Sequence, residues 1–251
     1  MEYTRDVSLR DRASLTALSK ERQNVGVKTR GVLFDWRGTL VGDPDDGWWV
    51  RSALECLERS AGDAEVDQIV DRLRIAGELP SVVVARQTAD CSAEQHHAAT
   101  MLQFAEAGLD DALARALYQL DFEPVAHPLY EDVPETLQRL KALGVAVAIV
   151  SDIHFDLRPE FALLGLESLI DSFVLSFERG VQKPDPRIFE IALDSLGVEP
   201  REALMVGDRP ARDGAAVLVG IPTLLLPIEH GPRRGLSGVL ALMGIPPASP
   251  G

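Results

Sequence analysis

Lysine is scarce in this chain: four stand among 251 residues, at positions 20, 28, 141 and 183. None falls between 43 and 123, so no mechanism needing a Schiff-base amine in that stretch is open to it. Cysteine is scarcer, with only Cys56 and Cys91, and these form neither a CxxC pair nor a Cys/His spacing. A disulfide framework and a thiolate zinc site are thereby excluded, and a reduced, cytoplasmic chain is expected. No run approaches about 18 uninterrupted apolar residues, and positions 1–30 lack an apolar h-region, so neither a membrane span nor a secretion signal is predicted. Positive charge is also short: the net charge of −14 argues against a nucleic-acid backbone as partner.

What is present suits a globular chain with a substantial core, as one large domain or a core with a smaller cap: 46% hydrophobic and 25% charged residues. Residues 1–30 mix charges with few large apolar groups and read as a leader, frayed or partly helical. From 43 to 123 apolar residues recur at helical spacing, in Trp48, Trp49, Ala53, Leu54 and Leu57, then Ile69, Val70, Leu73 and Ile75. Met101, Leu102 and Ala105 follow, then Leu113, Leu117 and Leu120, predicting an insertion of about four helices.

Residues 31–42 and 124–251 read differently. Short apolar runs at 32–34, 145–150, 173–175, 203–206 and 223–226 alternate with helical segments at 133–143, from 159, 186–196 and 213–219. Such alternation predicts a doubly wound, Rossmann-like parallel sheet, giving an α/β core with an inserted α-helical cap.

Polar chemistry gathers where those runs end. Asp35 closes the first, Ser151-Asp152 the second, Lys183-Pro184 precedes a helix, and Asp208 and Asp213 frame Gly-Asp-Arg-Pro-Ala-Arg-Asp-Gly. Singly, each is ordinary turn or cap chemistry. Together they fall on the edge where open α/β sheets bind ligands. A carboxylate there can attack a phosphoryl group and split one hard step into two. Phosphoryl oxygens and carboxylates repel, so a hard dication with oxygen ligands, Mg²⁺, suits the set, with Lys and Ser hydroxyl to bind the remaining oxygens.

Val-Leu-Phe-Asp-Trp-Arg-Gly-Thr-Leu, at 32–40, with the three later segments, resembles the haloacid dehalogenase-like hydrolases over residues 31–226, in a subfamily IA-like form with a C1-type cap. The resemblance implies a nucleophile and metal ligand at Asp35, phosphate contacts at Thr39 and Ser151, and an orienting Lys183. It also implies a metal carboxylate at Asp208, a supporting Asp213 and the backbone carbonyl of residue 37 on Mg²⁺. A small phosphorylated substrate is expected, with no nucleic-acid or membrane partner, and oligomeric state is left open.

One residue departs. The family's usual acid/base Asp is replaced by Arg37, whose guanidinium stays protonated and cannot exchange a proton, a loss worth ~10²–10⁴ in rate. Arg37 is expected to contact phosphate, with Asp152 as a further contact or merely a helix cap. Glu131, Asp132, His127 and Asp152 are candidate replacement bases by sequence proximity; His127 is otherwise a hinge. His96-His97 reads poorly as a metal pair, because adjacent helical residues face different sides. Three alternatives stay open: C–halogen cleavage, disfavoured by Asp208; C–P cleavage, disfavoured by the missing cap lysine; and a non-catalytic phosphoryl-ligand or partner-binding protein.

Overall fold

In a computed structural model, residues 28–43, 45–123, 127–227 and 231–245 are described. The expected leader lies outside them except for 28–30. Five parallel strands form one sheet in the order β3-β2-β1-β4-β5: β1 (Gly31–Phe34), β2 (Ala146–Ser151), β3 (Ser172–Leu175), β4 (Ala203–Gly207) and β5 (Thr223–Leu225). The order reverses at β1, between β2 and β4, and this opens a crevice at the strands' carboxyl ends.

Alternation along each strand builds two apolar layers. Val32 and Phe34, Val147 and Ile149, Leu204 and Val206 join the layer containing α6 (Val133–Ala142), α7 (Arg158–Leu163) and α10 (Ser237–Leu242). Leu33, Ala148, Val150 and Met205 face the other way, onto Ile188, Phe189 and Ala192 of α9 (Pro186–Leu196) and onto Ala216. Both faces are covered, which is why these strands read as continuous apolar runs. Trp36 is fully buried in the first layer, its ring centroid 4.9 Å from that of Phe161. A short helix, α8 (Ser176–Arg179), follows β3.

Between β1 and α6 the described residues make five α-helices where about four were expected: α1 (Asp46–Cys56), α2 (Asp63–Gly77), α3 (Pro80–Arg86), α4 (Ala93–Glu106) and α5 (Asp111–Leu120), with a 3₁₀ turn at Ala89–Cys91. The extra helix, α3, carries Val82-Val83-Val84, and β-branched residues of low helix propensity hide the helical period. α10 was likewise hidden in the Pro/Gly-rich tail; Leu236, Val239 and Leu240 carry it into the core. The insertion keeps its own apolar cluster around Val50, Leu73, Phe104 and Leu117. Its outgoing and returning chains meet at an antiparallel bridge between Val41 and Leu129, with Gly42 N–H donating to Pro128 O at 2.9 Å. Among the described residues, no helix is long and apolar enough to cross a membrane.

Candidate active site

Two strand ends and the loops beyond β3 and β4 bring four charged groups to one place. The Asp35 amide still belongs to the sheet, donating to Val206 O at 2.9 Å, so its side chain is aimed by the ladder itself. Lys183 is 2% exposed, and its Nζ donates to Asp35 Oδ1 at 2.7 Å, Asp213 Oδ1 at 2.6 Å and Val150 O at 3.1 Å. An ammonium with three acceptors is saturated. Burial pulls Lys183 down, but Asp35, Asp213 and Asp152 together outweigh it and hold the amine charged. Burial pushes Asp35 up to about 7, opposed by Lys183 and reinforced by Asp213.

Asp213 has no oxygen to spare. Its second oxygen accepts from the amides of Asp208 and Arg209 at 3.1 and 2.9 Å, at the start of the 3₁₀ segment Asp213–Val219. Asp208 differs: its Oδ1 is buried with no hydrogen-bond partner among the described residues. Two glycines make room for these acids. Gly38, at φ +73°, would drive a Cβ into the Asp208 carboxylate, and a Cβ on Gly207 would strike Asp213. Arg234, 2% exposed, donates from Nε to the Gly38 carbonyl and so fixes the turn that makes this space.

Oxygens of Asp35, Asp208 and Asp213 lie within 4.8 Å of one another. A donor set of oxygen alone, with an orphaned carboxylate oxygen at its edge, fits a hard dication such as Mg²⁺.

Asp35 and Lys183 line a cavity of about 200 Å³ together with Ser151, Asp152, His154, Asp90 and His96. Arg37, Arg86, Arg209 and Arg212 also line it. The chain is acidic overall, yet four arginines and Lys183 line this one cavity against three aspartates, a surplus of positive charge that favours an anionic occupant. A second cavity of about 360 Å³ lies within the helical insertion, shares Arg37, Arg86, His96 and Thr100 with the first, and reaches Trp49 and Tyr118.

Several expected contacts fall elsewhere. Arg37 borders the cavity, but its Nη2 donates to Asp121 Oδ1 at 2.8 Å and lies 3.1 Å from His127 Nε2. The same ring nitrogen lies 3.3 Å from the Asp121 carbonyl oxygen, so it stands between a donor and an acceptor. Burial and then the Arg37 charge pull His127 down, in the same direction. Thr39 is fully buried, is not among the cavity-lining residues, and its hydroxyl has no hydrogen-bond partner. Asp152 is no helix cap: Oδ1 accepts from the Lys183 amide at 2.8 Å and Oδ2 from Arg212 Nη1 at 2.6 Å, because β2 runs into an irregular loop and not directly into a helix. Asp132 is committed to the amides of Arg234, Gly235 and Leu236, and neither it nor Glu131 lines the cavity.

Three acids and rings escaped the sequence reasoning. Asp121, beyond the end of α5, holds Arg37 on one oxygen and places the other 3.5 Å from His154 Nε2 and 4.0 Å from His96 Nε2. Asp90 bonds His96 Nδ1 at 2.9 Å. The rings of His96 and His154 stack at 3.5 Å and 11°. The one available signal was His154, three residues past Ser151 in a strand-end loop; Asp90 and Asp121 carry no motif.

A family model described as haloacid dehalogenase-like hydrolase matches residues 29–218. The chain is similar to a phosphoserine phosphatase of Thermus thermophilus, 38% identical over 43% of this chain and 44% of that protein. It is also similar to an (S)-2-haloacid dehalogenase 4A of Burkholderia cepacia, 32% identical over 50% of this chain and 52% of the other. These matches span about half the length of each relative. A solved structure of a dehalogenase superposes with a TM-score of 0.60 at 28% identity, covering 85% of this chain and 96% of that one.

Proposed function

We propose, from the premise that the chain belongs to the haloacid dehalogenase-like hydrolases, that it hydrolyses a small phosphate monoester or acyl phosphate through an aspartyl-phosphate at Asp35. Relatives of both chemistries share the fold, so the choice rests on the site. The observation that carries it is Asp208: a buried carboxylate oxygen without a partner beside Asp35 is an expensive feature unless a cation completes it. Displacement of halide by Asp35 has no use for that group.

In this reading Asp35, Asp208 and the carbonyl of Arg37 hold Mg²⁺, with Asp213 supporting from behind. The ion would neutralise phosphoryl oxygens and lower the nucleophile's proton affinity. Lys183 keeps Asp35 oriented through its 2.7 Å bond and works against the burial that raises the carboxyl. Ser151, buried at the end of β2, offers its hydroxyl to a phosphoryl oxygen, and the ring of arginines draws in the anion. The helical insertion acts as a cap, limiting the substrate to one that fits the two connected cavities.

The test is turnover of 4-nitrophenyl phosphate and acetyl phosphate with Mg²⁺ and with EDTA, beside halide release from 2-chloropropionate. Phosphate release that EDTA stops and that Asp35→Asn lowers by on the order of 10⁴-fold or more is expected. Halide release without phosphate release would overturn the proposal, and tight phosphate binding with no adduct on Asp35 would instead make the chain a binder.

A further inference from the structure

We propose that His96, oriented by Asp90, is the general acid and base that residue 37 no longer supplies. The proposal rests on the phosphoryl-transfer reading above. Arg37 cannot exchange a proton, and its guanidinium is drawn away onto Asp121. His96 lines the same cavity as Asp35 and is carried by α4 of the insertion.

Its geometry is that of an oriented base. A carboxylate accepts only, so the 2.9 Å bond to Asp90 fixes the proton on Nδ1 and leaves Nε2 for exchange. Asp90 is itself held: its carbonyl lies 2.5 Å from Ser176 Oγ on α8, and its amide donates to Gln182 Oε1 at 2.9 Å. The insertion is thus stapled to the core at the residue that aims the ring. Burial raises Asp90, but the His96 bond with the charges of His96 and Arg212 outweighs it, keeping the carboxylate ionised to hold Nδ1–H.

The remaining groups facing His96 are Asp121 and Tyr118 from the end of α5, His154 from the loop after β2, and Arg37 and Arg86 across the shared cavities. His154, driven down to about 4 by burial and by His96, is neutral and does not compete for the proton. Atoms of Asp90, His96 and His154 come within 4.8 Å, a spacing a metal ion uses, but parallel rings aim their lone pairs side by side and not at one point.

The chemistry balances. Asp35 Oδ bonds to phosphorus as the bond to the leaving oxygen breaks; that oxygen keeps the electron pair and takes the proton from His96 Nε2. Neutral His96 then accepts a proton from water as the water oxygen bonds to phosphorus and the Asp35–phosphorus bond breaks. Phosphate leaves, and both residues return to their starting states.

The test uses the full chain with Mg²⁺ and two probes, 4-nitrophenyl phosphate, whose leaving group needs no proton, and glycerol 2-phosphate, whose leaving group does. In His96→Asn the first-turnover burst of nitrophenolate should keep its wild-type rate, while steady turnover falls ~10²–10⁴-fold and phosphoryl-Asp35 accumulates by mass spectrometry. With glycerol 2-phosphate the first turnover should itself fall by that factor. Wild-type rates on both probes, or equal losses in both first turnovers, would overturn the proposal. Should His96→Asn unfold by circular dichroism, Asp90→Asn gives the same split, with an altered pH profile, by freeing the tautomer. Absence of any adduct in the wild type, or a wild-type burst in Asp35→Asn, sinks the phosphoryl-transfer reading instead.

Discussion

Two charged clusters meet at one cavity, and they are built on opposite plans. The core cluster, Asp35, Lys183, Asp208 and Asp213, hangs from strand ends and the loops that follow them, and its ammonium is saturated by oxygens at 2.6 to 3.1 Å. The insertion cluster, Arg37, Asp121, His127, His96, His154 and Asp90, bridges two bodies of the chain. Its contacts spread from 2.8 to 4.0 Å, and among the described residues His127 Nδ1 and His154 Nε2 lack hydrogen-bond partners, as Asp208 Oδ1 does in the core cluster. The difference separates two tasks: a fixed charge constellation needs rigid supports on every side, whereas a group that exchanges protons needs one ring nitrogen held and the other left open.

The comparison breaks most visibly at Lys183. Lys183→Met strands Asp35 and Asp213 as buried, uncompensated acids and should cost about 3–5 kcal/mol in urea unfolding. A loss below about 1 kcal/mol would show that the core cluster is no tighter than its neighbour. Metal binding should separate the clusters next. Mg²⁺ at a hundredfold excess over its Kd should stabilise the wild type by ~2.7 kcal/mol, leave Asp208→Asn unmoved and act normally on His96→Asn, as read by thermal shift. An equal response in Asp208→Asn would remove Asp208 as a ligand.

Acid should act on the insertion cluster through His154. Its folded value lies near 4 against an ordinary 6.5, so the unfolded ring takes up a proton that the folded ring refuses. Stability is therefore lost as pH falls below 6.5 and fully lost by about 4, at up to ~1.4 kcal/mol per pH unit. His154→Phe should abolish that part of the pH dependence; an unchanged slope would place the acid sensitivity elsewhere. The smallest effect is expected at the half-buried Arg37–Asp121 pair, where a double-mutant cycle with alanine should give a coupling of about 1 kcal/mol. Zero coupling would mean that Arg37 is free to turn onto the substrate.

Legibility in the sequence followed the same division. Asp35, Ser151 and Asp208 could be read because each stands at the end of an apolar run of strand length, and parallel strands present their carboxyl ends together, while Lys183 and Asp213 stood out in the polar segments that lead into helical runs. Asp208 and Asp213 were adjacent enough to be seen as a unit. Asp90, Asp121 and His154 had no such warrant: helical period says which face of α4 or α5 is buried, not which other helix end will stand opposite. His96 was visible only as half of a pair with a weak claim on metal. Its neighbour His97 is indeed turned aside, edge-on to Tyr118 at 4.9 Å.

The sequence by itself determined the sheet, the helical insertion and the row of acids and lysine along the strand ends, because periodicity and strand polarity are local properties of the chain. It also settled that Arg37 cannot move a proton. Only the tertiary structure decided where that guanidinium goes and which oxygen of which aspartate stays free. It alone brought Asp90 and His96, some sixty residues from Asp35 in the chain, to the cavity that Asp35 lines. Those outcomes depend on packing between the insertion and the core, where contacts arise from residues far apart in sequence and leave no period to read.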